Sequence, residues 1–89
     1  MRESWAKTLR YLAAARYYLP ALLPHGDATE AAREVDHFLH HNEYGLALES
    51  AEALGLAVSA PPEFWRELKL AAENMGLIEA ANRYAARLA

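Results

Sequence analysis

Eighty-nine residues with 54 % apolar side chains, twelve acids against nine Lys and Arg, and no cysteine predict one small domain whose core must close by packing alone. The missing thiols exclude a disulfide frame, a thiolate metal site and a cysteine nucleophile, and so apolar a chain with only four Gly and four Pro is not a disordered tail. Charge is uneven: residues 1–20 carry Arg2, Lys7, Arg10 and Arg16 against Glu3, residues 21–60 carry seven acids against Arg33 alone, and the remainder is balanced.

Trp5, Leu9, Leu12 and Leu19 recur at helical spacing, with Ser4 as a cap and Pro20 and Pro24 as stops, which predicts a first helix over about 4–19. Tyr17, Tyr18, Leu22 and Leu23 are expected to tuck under the domain, since that much apolar surface avoids water. Asp27 and Glu30 have capping-box spacing. Behind them Ala31, Val35, Phe38 and Leu39 oppose Glu30, Glu34, His37 and His41, so a second helix runs to about His41. After a bend at Asn42 to Gly45, Tyr44, Ala47, Leu48, Ala51 and Leu54 give a third stripe, with Gly55 as its stop.

Pro61 and Pro62 open a fourth helix that buries Phe64, Leu68, Ala71, Ala72 and Met75, widened by Trp65, and Gly76 ends it. Ile78, Ala81, Tyr84, Ala85 and Leu88 form a last short stripe. No run alternates as a half-buried strand does, and the fold class is therefore all-α, a bundle of four to five short helices forming a single domain over 1–89.

Chemistry-bearing constellations are scarce. Ser50 and Ser59 lie in no nucleophile-elbow context, no glycine-rich phosphate loop is present, and an enzyme is not expected. Glu34, His37 and His41 are the one set with metal-ligand spacing on a helix face, lacking a fourth ligand, so no metal or other cofactor is expected. The segment Ser50–Leu56, reading SAEALGL, followed by a second helix through Glu67–Ile78, reading ELKLAAENMGLI, resembles a helix-turn-helix. Its second helix carries Glu63, Glu67 and Glu73 against Arg66 and Lys69, however, a poor balance for phosphate, and nucleic acid is the lesser reading. A concentrated acidic centre steers basic partners, and it makes protein binding the leading reading, with Asp36, Glu43, Glu49 and Glu52 as contacts. Self-association through Leu46 or Leu70, both off the main stripes, is a third.

No stretch reaches about 20 uninterrupted apolar residues, and residues 1–12 hold charges among their apolar positions, so neither a membrane span nor a secretory leader is expected and the cytoplasm is the expected location. Arg outnumbering Lys together with the absence of Gln fits a heat-adapted source.

The segment Glu43, Tyr44, Gly45, Leu46, Ala47, Leu48 and Glu49, followed after a short loop by the helix Glu63–Leu77 with its Met75-Gly76-Leu77 end, resembles small immunity proteins associated with Maf-type polymorphic toxins. The likeness covers about half the chain; the basic, aromatic first helix and the tail from Ile78 have no counterpart in it. It implies a non-catalytic protein that neutralises a cognate toxin, and the acidic centre would suit a basic one.

Overall fold

The computed structural model describes residues 2–19 and 26–88, with side chains over 5–19 and 30–88. Five helices follow one another, α1 (Arg2–Tyr17), α2 (Gly26–His40), α3 (Tyr44–Val58), α4 (Pro62–Asn74) and α5 (Ile78–Ala86), and no strand occurs among the described residues. The all-α class and the helix number are as expected. The Ser4 cap, the Asp27–Glu30 capping box and the packing of Leu22 and Leu23 lie outside the described side chains, although α2 begins at Gly26, one residue before Asp27.

α4 is the centre. It packs on α1, α3 and α5, while α2 packs on α3. Its Phe64, Trp65, Leu68, Ala71 and Ala72 are all buried, joined by Leu12, Ala15, Leu54 and Tyr84 from its neighbours. Eight of the buried core residues are alanines, which lets helix axes approach closely, and the result is a slab of 36 × 32 × 17 Å. A helix with its side chains is about 10–12 Å across, so the thin dimension holds less than two full layers.

Helix ends are set by the backbone as much as by glycine. Asn42, Ser59 and Gly76 have φ of 59°, 52° and 75°. After α2 the Glu43 N–H donates to the Phe38 carbonyl at 2.8 Å, and after α4 the Leu77 N–H donates to the Ala72 carbonyl at 2.9 Å. In both the left-handed residue's own N–H reaches back three positions, giving the Schellman closure that satisfies orphan carbonyls. The two helical hairpins α2–α3 and α4–α5 thus turn through the same three-residue device. Tyr44 braces the first by donating its hydroxyl to Asn42 Oδ1 at 3.0 Å.

Several expectations are corrected. Gly55 does not stop α3, which runs one further turn to Val58 and ends at Ser59. Gly55 is buried against Phe64 and Trp65, where a Cβ would lie 2.9 Å from the Trp65 ring and closer still to Phe64. Close approach is its reason. In α1 the inward face is Thr8, Leu12, Ala15 and Leu19, leaving Trp5 58 % and Leu9 38 % exposed. The small Ala15 admits α4, and the polar Thr8 is tolerated inside because Asn74 Nδ2 donates to its Oγ1 at 2.7 Å. Tyr17 and Tyr18 face solvent instead of tucking under the domain, and Ile78 faces outward because α5 presents Ala80, Ala81 and Tyr84 to α4.

Candidate protein-binding groove

The four acids chosen from the sequence have different surroundings. Glu43 and Glu49 are exposed, and neither enters an ion pair among the described residues. Asp36 is exposed and stands 3.8 Å from Arg16 Nε, too long for a hydrogen bond. Glu52 is engaged within the fold: Arg83 donates to it through Nη2 at 2.9 Å and Nε at 3.2 Å, and the Tyr84 hydroxyl donates at 3.0 Å. It ties α5 to α3 and holds Arg83 in place.

Electrostatics follow from that clamp. Hydrogen bonding from Arg83 is the largest influence on the Glu52 carboxyl, and with Tyr84 it outweighs partial burial and holds the group below its ordinary value of 4.5. Burial, reinforced by Glu52, pushes the Tyr84 hydroxyl well above its ordinary range. A carboxyl lowered by folding stabilises the fold above its unfolded value, and that contribution disappears as pH falls through the folded value. Glu52→Gln is therefore expected to lower the melting temperature by a few degrees at pH 7, with the difference from wild type narrowing as pH falls below 4.5 and through the lower value of the folded carboxyl; a gap with no pH dependence across that range would assign the loss to geometry, not charge.

Glu34 does not join the histidines in a site. It accepts a long hydrogen bond from Ser50 at 3.4 Å, and no three His, Asp or Glu side chains converge as metal ligands among the described residues. The imidazoles of His37 and His41 do sit together, their ring centres 4.5 Å apart, with His40 5.3 Å from His41. On the helix-turn-helix reading α4 would enter a DNA groove. That helix packs on α1, α3 and α5, and on it Lys69 pairs with Glu73 at 3.1 Å.

Where α3 and α5 diverge, a groove of about 670 Å³ opens. Gly45, Leu46 and Glu49 wall it from α3, Leu77, Ile78 and Glu79 from the α4–α5 turn, and Leu48, Ala80 and Tyr84 form its buried floor. Leu46 is 46 % and Ile78 71 % exposed. Glu49 and Glu79 are exposed at its edge, while Arg83, also lining it, is committed to Glu52. The groove is apolar inside with uncompensated acid at the rim, a pattern suited to binding.

Sequence reasoning singled out Leu46 as lying off its helix stripe, and Leu46 proves exposed in this groove, whereas Leu70 is half-buried. Leu77, Ile78 and Glu79 were missed as site residues. A large apolar pair directly after a helix-stopping glycine was the available signal, because Gly76 in the left-handed region turns the chain outward there. No protein-family model, curated protein or solved structure matches the chain. Among the described residues no helix is long and apolar enough to cross a membrane.

Proposed function

We propose that this chain is a non-catalytic protein-binding module that acts in the cytoplasm by neutralising a basic toxin, in the manner of an immunity protein. The observation that carries the reading is the groove: an apolar floor flanked by the free carboxylates of Glu49 and Glu79 favours a partner element with apolar anchors and basic neighbours. A second fact supports it. The two stretches that resemble the immunity family, Glu43–Glu49 and the helix Glu63–Leu77, are far apart in sequence, and the first together with the Gly76-Leu77 end of the second lines this groove. Asp36 and Glu43 extend the acidic field without belonging to the groove, and Glu52 acts by fixing Arg83 and Tyr84.

The test is co-expression with a toxin domain encoded beside this chain's own gene. Wild type is expected to protect growth and to co-purify with the toxin, whereas the Leu46→Arg, Glu49→Arg double variant, altered only at exposed positions, is expected to bind at least about tenfold more weakly. Equal protection by the double variant, or a gene neighbourhood without such a toxin, would remove the immunity reading.

A further inference from the structure

Eight large apolar side chains face solvent among the described residues, and six of them fall on just two surfaces. Leu46, Leu77 and Ile78 belong to the α3–α5 groove. Trp5, Leu9 and Tyr17 lie on α1, together with the exposed Ala13. Those four α1 positions are spaced by four residues, so they form one inclined row about 18 Å long, which starts at Trp5, edge-on to Tyr44 of α3, and winds to the outward side at Ala13 and Tyr17. Single exposed leucines need no explanation, but aligned ones on a helix already buried along its other side do.

The two surfaces are opposite in charge. The outward end of the row is accompanied by the exposed Arg10, which forms no ion pair among the described residues, and the groove is rimmed by Glu49 and Glu79, which form none either. The asymmetry between a basic first segment and an acidic middle thus becomes spatial. A helix bearing an apolar stripe with basic companions is the occupant that an apolar groove with an acidic rim accepts, and this chain carries both halves.

We propose that a second copy of this chain occupies the groove, the α1 stripe of each protomer lying between α3 and α5 of the other in a two-fold dimer. Both contacts form twice, so each apolar surface is covered and the pair is closed to further addition. The inference goes beyond the immunity reading and needs no heterologous partner. It adds a regulatory consequence: self-association and partner binding draw on one groove and exclude each other.

Sedimentation velocity on the full chain from about 10 to about 500 µM should show a concentration-dependent shift from monomer to dimer, with the midpoint moving upward with salt as exposed charges are screened. Leu9→Glu in the stripe and Ile78→Glu in the groove wall should each raise the midpoint at least about tenfold. Ile78 is the first residue of α5, where an acid suits the helix dipole, and Tyr17→Glu at a position 83 % exposed is a second stripe variant, so unchanged helical circular dichroism separates lost docking from lost folding. Mixing Leu9→Glu with Ile78→Glu is the decisive arm: the mixed pair keeps one contact wholly intact and gathers both substitutions in the other, so the mixture should dimerise more tightly than either variant alone and less tightly than wild type. A chain monomeric throughout, a dimer indifferent to these substitutions, or a mixture no tighter than the variants alone overturns the proposal. Failure here leaves toxin binding standing, and loss of toxin binding leaves the dimer standing.

Discussion

Phe64→Ala is expected to remove a large share of the protein's stability and to lower its melting temperature by more than about ten degrees. Phe64 is fully buried on the central helix, its ring set edge-on to Trp65 at 5.0 Å between centres and against Gly55 of α3. Truncating such a ring costs about 3–5 kcal/mol from lost transfer energy plus the cavity left behind, while a chain of this length commands only about 4–13 kcal/mol in total. Relaxation of neighbours is the usual relief, and on the Gly55 side it is restricted because a glycine has no side chain to move inward. Thermal denaturation followed by circular dichroism measures the loss. A melting temperature within a few degrees of wild type would show that α4 does not organise the core.

Gly55→Ala carries the second largest effect, and its sign runs against helix propensity. Alanine in a helix interior is worth about 1 kcal/mol over glycine, and the same exchange at Gly45, also within α3 and with open space around its Cβ position, is expected to stabilise by about 0.5–1 kcal/mol. At Gly55 the added methyl meets the buried Phe64 and Trp65 rings, 2.9 Å from the latter. Neither ring can swing aside, since Trp65 is also covered by Tyr84 at 5.8 Å and by the Arg87 guanidinium at 4.7 Å. Overpacking of this kind costs about 1–3 kcal/mol. The pair of variants, measured side by side in urea, should move the midpoint in opposite directions; a rise for both would mean that α3 and α4 can separate freely.

The helical class and four of five helix positions were legible from apolar spacing, because amphipathic periodicity records which side of a helix meets its neighbours. The exceptions have specific causes. Gly55 reads as a stop in one dimension, since a glycine after an apolar stripe looks the same whether it permits a left-handed turn or a close helix contact, and the true stop, Ser59 at φ 52°, has no strong signature of its own. Trp5, Leu9 and Ile78 were assigned inward because large apolar residues weigh most in a stripe. The actual faces are drawn by Ala15, Ala80 and Ala81, whose small size decides how near two helices come and therefore which side is covered. The acidic residues were legible as a group but not by role. That Glu52 would be held by Arg83 and Tyr84 while Glu49 stayed free depends on where α5 comes within hydrogen-bond reach of α3, a relation between segments about thirty residues apart that periodicity does not carry.

The 17 Å thickness of the slab has a thermodynamic corollary. In so shallow a body every core side chain has solvent only one helix away, and the isolated chain has little interior in reserve. Anything seated on the α3–α5 face adds a further layer and covers Leu46, Leu77 and Ile78, which the chain alone leaves exposed. Occupancy then adds to fold stability by mass action, about 2.7 kcal/mol when the occupant stands at a hundred times its dissociation constant, a sizeable fraction of what the chain holds alone. Lifetime in the cell is in this way tied to company: a molecule that finds its complement is also the one that best withstands proteolysis.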